Sequence, residues 1–256
     1  MEHLFEKLRS PQIAEAVKAD ALLLIPVGQV EEHGPHLPLY ADWLIASELS
    51  LAAARRLEDK LPALVMSGVL YGYSTVHLKR WAGTIRLRQE TVRAVVLDLA
   101  RSVIEMGFRK IVFVSGHGHH TGIMRTAVRS IWDEHNVDAA VVFPGAMAAP
   151  ALEQFGKAGP GGSCHAGELE TLLLLHLAPE LVDMQSAPSG DRLKLDQRFG
   201  SAQVFWSTWN RQESASGAYG EPSFATAETG KAIFEAVTSR MAEFLEEYHS
   251  RCASAE

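Results

Sequence analysis

Apolar residues run without interruption from Ala21 to Val27, the pattern of a strand buried on both faces. Gly28 ends the run, and a polar loop containing Gly34, Pro35 and Pro38 follows to about Leu39. From Asp42 to Leu57 the rhythm changes. Leu44, Ile45, Leu49, Leu51 and Ala52 fall at helical spacing, with Arg55, Arg56 and Lys60 toward the end. Leu64 to Ser67 is a short strand candidate. Val92, Val95, Val96, Leu99, Val103 and Ile104 place a helix over 89–106, with Gly107 positioned as its C-terminal stop. Lys110 to Ser115 is a second buried strand, running through Gly116 to His120 into a helix from about Thr121 to Glu134. Ala139 to Phe143 reads as a third strand. Residues 166–177 and 227–248 read as further helices, the last covering an outer face of the sheet.

Strand and helix alternating with short connections predict an α/β fold, a mostly parallel sheet with helices on both faces. One domain over 1–256 is expected, because no repeat, charge block or low-complexity linker divides the chain. Two stretches break the alternation: Pro144 to Ser163, rich in Gly, Ala and Pro, and the irregular Leu193 to Gly220. Loops of that length inside a domain tend to be functional, so both are expected to elaborate a site.

Composition limits the partners. The 256 residues are 47% hydrophobic and 21% charged, enough for one large core without staples. A net charge of −7 argues against nucleic acid or an anionic membrane surface and leaves a small-molecule substrate open. Two cysteines, Cys164 and Cys252, exclude a disulfide framework and favour a reducing compartment. Met1 to Lys7 lacks a signal-peptide layout, and the longest apolar runs are too short to span a bilayer. A cytoplasmic location is expected.

In open parallel sheets, ligands bind beyond the carboxyl ends of the strands. The loops after Val27 and Val114 carry the densest ligand-type residues: Glu31, Glu32, His33 and His36 followed by Asp42, and then His117, His119 and His120. Carboxylates and imidazoles together suit Zn²⁺, Mn²⁺ or Fe²⁺. A carboxylate can bridge two such ions, which about 3.5 Å apart can share a hydroxide nucleophile and polarise a carbonyl. Taken singly, Asp42 could be a helix N-cap and the others solvated loop residues. Two such clusters after two core-type strands favour a metal site.

The residues from Gly28 to Leu39, with the core Glu31-Glu32-His33-Gly34-Pro35-His36, and Asp42 closely resemble the first motif of the creatininase (creatinine amidohydrolase) family. Ser115-Gly116-His117-Gly118-His119-His120 is similar to that family's Asn-Gly-His-Gly-Gly-Asn. His165-Ala166-Gly167-Glu168-Leu169-Glu170-Thr171 resembles its His-Ala-Gly-Glu-x-Glu-Thr-Ser. Weaker matches fall at Tyr71 to Ser74 with His77, at Gly83 to Ile85 and at Gly220 to Pro222. The resemblance implies a homo-oligomer, with a hexamer favoured, and two divalent metal ions per chain (Zn, Mn or Fe). By motif position, Glu31 and His117 would hold one metal and His33 and Glu170 the other, with Asp42 bridging and His165 transferring protons. His119 stands where many members have Gly and creatininase itself has a ligating acid, so it is expected as an additional ligand to the first metal. Ser115 and His120 depart from the usual Asn. His36, Tyr73, His77, Ser115, Trp206 and Arg211 are expected to meet substrate.

The implied reaction is attack of a bridging water on a polarised carbonyl, with His165 protonating the leaving group. The leading expectation is hydrolysis of a C–N bond in a small cyclic amide or formamide. Creatinine itself is disfavoured, because Pro150 to Cys164 carries Phe155 but no Trp where creatininase encloses its flat ring with aromatics. The alternatives are opening of a cyclic keto-polyol ring by C–C cleavage, and a catalytically silent metal-binding protein.

Overall fold

A computed structural model describes residues 2–189, 191 and 213–253. Four parallel strands, β1 (Leu22–Val27), β2 (Ala63–Val65), β3 (Lys110–Ser115) and β4 (Ala139–Val142), form a sheet in the order β2-β1-β3-β4. The helices are α1 (Ser10–Lys18), α2 (Ala41–Arg56), α3 (Gln89–Met106), α4 (Thr121–His135), α5 (Pro144–Met147), α6 (Ala149–Phe155), α7 (Glu168–Leu177) and α8 (Ala227–Ala253). The expected α/β class and parallel sheet are what the chain forms.

β1 and β3 are the inner strands, paired from Leu22 opposite Lys110 to Val27 opposite Ser115, and every residue of both is buried. That double-sided burial explains their unbroken apolar runs. Lys110 begins β3 and pairs with Asp20. Side chains then alternate between two cores. Leu22, Leu24, Val112 and Val114 pack with α2, α7 and α8 on one face. Leu23, Ile25, Val27, Ile111 and Phe113 pack with α3 and α4 on the other. α8 is longer than its periodic stretch suggests and ends against the sheet, where the Tyr248 hydroxyl accepts from the Ile111 N–H and donates to the Asp138 carbonyl.

Two elements differ from expectation. Pro144 to Ser163 is not simply loop: α5 and α6 occupy its first half, each with a proline in its first turn. Proline is tolerated there because the missing N–H would have no helical partner, and the alanines between favour helix. α1 carries too narrow an apolar stripe to read from the pattern, and it rests on the second core through Ile13, Ala16 and Val17. Of the second irregular stretch, Glu213 to Gly220 is described and contains neither helix nor strand.

Strand order sets the position of the site. From β1 the chain passes through α2 on one face; from β3 it passes through α4 on the other. The two exits diverge and leave a crevice at the carboxyl edge between β1 and β3. Gly116 brings its two sides together: a Cβ there would sit 2.1 Å from the Asp42 carbonyl oxygen in the first turn of α2. Gly116→Ala is therefore expected to destabilise the metal-free chain by about 1–3 kcal/mol. Gly118→Ala, two residues on with nothing within 4 Å of its Cβ position, is expected to leave its urea midpoint nearly unchanged. Equal midpoints for the two variants would refute the close-approach argument.

Candidate metal centre

Asp42 is the second residue of α2 and is buried, while Tyr40 is the N-cap and makes no side-chain cap bond. Its carboxylate faces inward instead of capping. Oδ1 lies 3.4 Å from His33 Nε2, and Oδ2 lies 2.9 Å from His117 Nδ1. Around it, His117 Nδ1 is 3.4 Å from Glu31 Oε1, and His33 Nε2 is 3.7 Å from Glu170 Oε2. Three groups have ligand atoms close enough to share an ion: Glu31, Asp42 and His117; His33, Asp42 and Glu170; and Glu31, His33 and His165. Asp42 belongs to the first two, and Glu31 and His33 recur in the third.

Local structure holds each donor. The N–H of Glu31 donates to the Leu39 carbonyl, closing the β1 loop. His33 Nδ1 donates to the Glu31 carbonyl at 3.1 Å, so Nε2 is the nitrogen turned toward Asp42. Glu170, in the first turn of α7, accepts the N–H of Ala166 at 2.6 Å. Ala166 has a φ of 51°, a left-handed conformation that an alanine rarely adopts. It bends the chain so that His165 and Glu170 face the same point.

Both Glu31 carboxylate oxygens, His33 Nε2 and Asp42 Oδ2 are buried and make no hydrogen bond. Buried polar atoms are nearly always bonded, so four such atoms close together fit a bound cation. Hard oxygen and imidazole donors without thiolate fit Zn²⁺, Mn²⁺ or Fe²⁺. The electrostatics agree. Burial works against charge on His117, but Glu31 and Asp42 outweigh it and push its pKa up to about 9. His33 also resists charge through burial and is raised well above the ordinary value by Asp42, Glu170 and Glu31. Burial raises Asp42, and His117 and His33 overcome that to hold it low. Glu170 moves the other way, raised by burial and by Asp42. His36, His119 and His120 are lowered to about 4, 2 and 3, by burial first and neighbouring imidazoles second.

The six residues Glu31, His33, Asp42, His117, His165 and Glu170 thus fall into three overlapping groups. His119 falls outside all three groups, with its Nδ1 3.1 Å from His117 Nε2. His36 is 1% exposed and its Nε2 lies 3.0 Å from Thr171 Oγ1, so it braces α7. Ser115 is buried as well, its hydroxyl donating to the His117 carbonyl. Tyr73 and His77 are half-buried: the Tyr73 N–H donates to His120 Nε2, and His77 Nε2 is 2.7 Å from the Tyr219 hydroxyl. Trp206 and Arg211 lie outside the described residues.

Two participants had no assigned role in the sequence. Glu32 Oε1 is 3.2 Å from His165 Nε2, while His165 Nδ1 is 3.3 Å from Glu31 Oε1. Adjacent glutamates thus address opposite edges of one imidazole, which composition and spacing do not reveal. Tyr219 is 1% exposed, its ring 6.4 Å from that of His165, and its hydroxyl accepts from Arg80 at 3.2 Å. Its place at the end of an irregular stretch hid it.

A parallel α/β sheet with a buried carboxylate–imidazole basin at its carboxyl edge is the architecture of a metal-dependent hydrolase. The creatininase profile, described as creatinine amidohydrolase, matches residues 6–245, and the chain belongs to that family. It is 36% identical over 223 residues to the mycofactocin precursor peptide peptidase of Mycobacterium ulcerans, covering 83% of this chain and 79% of the relative. It is 28% identical over 196 residues to the creatinine amidohydrolase of Pseudomonas putida, covering 67% and 70%. A crystal structure of creatinine amidohydrolase superimposes with a TM-score of 0.84 at 23% identity, covering 96% of this chain and 97% of that one. No helix among the described residues is long and apolar enough to cross a membrane.

Asp42→Ala is expected to cost most of the metal binding, since it removes the carboxylate common to two ligand groups. Elemental mass spectrometry of gently purified protein should find about two equivalents of divalent metal per wild-type chain and well under one in the variant. An Asp42→Ala chain that keeps its full metal content would remove Asp42 from the centre.

Proposed function

We propose that the chain hydrolyses an amide C–N bond at a dinuclear divalent-metal centre, one ion held by Glu31, Asp42 and His117 and the other by His33, Asp42 and Glu170. The observation that carries this is the shared membership of Asp42: a single carboxylate lies within reach of both ligand sets. Bound there, the two cations supply an activated water and polarise a substrate carbonyl.

The chain's own residues do the rest. His165 stands beside the basin with its ring 4.5 Å from that of His33. Glu32 holds its Nε2 edge and is itself fixed by the Gly34 N–H at 3.0 Å, so the Nδ1 edge is presented to the basin. A proton at Nδ1 is placed for transfer to a departing amine nitrogen. Burial of Glu31, His33, Asp42 and His117 limits water there and strengthens each charge interaction at the reacting carbonyl.

Similarity to a peptidase at 36% identity favours a peptide amide as the substrate, and similarity to creatinine amidohydrolase at 28% supports the small cyclic amide or formamide. Zinc- or manganese-loaded protein should be incubated with short free-acid peptides, creatinine, N-formyl amines and a cyclic keto-polyol, and products read by mass spectrometry. Cleaved peptide supports the first class, and turnover of creatinine or formamide alone supports the second. C–C cleavage of the keto-polyol as the only reaction would overturn amide hydrolysis. Two bound metals with no turnover of any substrate would favour the silent metal-binding protein. With an active substrate in hand, His165→Ala is expected to slow turnover about 10²–10⁴-fold with metal content unchanged. An unchanged rate would take His165 out of proton transfer.

A further inference from the structure

His117 offers its two ring nitrogens to different neighbours. Nδ1 faces the carboxylates, 2.9 Å from Asp42 Oδ2 and 3.4 Å from Glu31 Oε1. Nε2 lies 3.1 Å from Nδ1 of His119. Two imidazole nitrogens in a hydrogen bond share one proton, so one ring donates and the other accepts. The far side of His117 decides which. A cation held together with Glu31 and Asp42 takes the lone pair of Nδ1. The ring's remaining proton is then on Nε2, and His119 Nδ1 is the acceptor.

His119 is built into this position. It lies in the short turn Gly118–His120 that joins β3 to α4, and its ring meets that of His117 edge-on at 4.9 Å and 79°. It belongs to none of the groups whose atoms could share an ion. His33 uses the same device on the other side of Asp42, where Nδ1 donates to the Glu31 carbonyl and Nε2 is left for Asp42 and Glu170. A carbonyl can only accept, so the His33 arrangement is fixed by the backbone. An imidazole can accept or donate, so the His117 arrangement depends on a side chain and can be tested by changing it.

We propose that His119 is a positioning residue, accepting the Nε2 proton of His117 and so presenting a bare Nδ1 to the cation shared with Glu31 and Asp42. This rests on the dinuclear reading above and replaces the expectation that His119 is itself a ligand.

Zinc titrations of metal-stripped wild-type, His119→Ala and His119→Asn chains against a competing chelator separate the roles. A positioning residue predicts that His119→Ala still takes two zinc ions at saturation, with one of the two affinities lowered about 10–100-fold. His119→Asn, whose side-chain carbonyl can accept the same proton, should recover most of that loss. In the zinc-loaded wild-type chain, long-range ¹H–¹⁵N correlation should place the His117 proton on Nε2. Loss of one zinc equivalent in both variants makes His119 a ligand, and an unchanged affinity in His119→Ala makes it a bystander. Either result overturns the proposal. A His117 proton found on Nδ1 with zinc bound overturns it too, even where the variants do not fold. A wild-type chain that binds no zinc is a different failure: it removes the dinuclear reading, and the proposal with it.

Discussion

Three carboxylates and three imidazoles crowd into overlapping groups, four of the six buried, and that concentration is the constraint on which the rest of the site depends. Glu31 is fully buried, and no hydrogen bond reaches either of its carboxylate oxygens. Leaving a charge buried and unpaired costs several kcal/mol, so the surrounding groups must supply positive charge there. His33 and His117 are raised in pKa because Asp42, Glu31 and Glu170 ask for it. A divalent cation meets the same demand more completely and leaves the ring nitrogens free to bind. Metal uptake and folding are therefore linked, because the arrangement that gathers these ligands is the folded chain itself.

The fold pays for this concentration with rigidity elsewhere. β1 and β3 pair along their whole length and are enclosed by two separate apolar cores. Close backbone approaches then replace side-chain contacts at the crevice: Gly116 lets the exit from β3 touch the first turn of α2, and Gly28 lets the exit from β1 touch Trp43. Those approaches carry Asp42 across to His117. The third side comes from the bend at Ala166 and the first turn of α7, held by Thr171 against His36. Asp42 and Glu170 lie in first helical turns and His117 two residues beyond β3, positions that favour ångström-level placement.

Much of this was legible in the residues. The runs at 21–27 and 110–115 and the periodic stretch closed by Gly107 mark their elements closely, because burial on both faces and a left-handed C-cap leave strong local signals. Glu31, His33 and His117 stand out because histidine and acid together after a buried strand have few other uses, whereas Asp42 alone reads as a helix cap and Glu170 is placed only by the family resemblance. Less visible were features that depend on three-dimensional direction. Nothing in Glu31-Glu32 says that the first carboxylate faces the basin and the second the back of His165. Nothing in His117-Gly118-His119 says that the second ring stands behind the first, because a three-residue turn can aim a side chain either way. The prolines of α5 and α6 read as loop residues, although at the start of a helix proline is no obstacle.

Two different kinds of segment meet at the carboxyl edge of the sheet. The ligand groups lie on strand exits and helix starts, which the sheet fixes whatever the substrate. The rim is assembled from less regular chain: His77 and Arg80 meet the Tyr219 hydroxyl, and Arg80 lies 4.0 Å over the ring of Trp81. Tyr219 in turn stands beside His165, so a change among these residues can reach His165 without touching Glu31, Asp42 or His117. The acid and histidine groups are placed by the geometry of the sheet, whereas His77, Arg80 and Tyr219 are placed by chain that the sheet does not constrain.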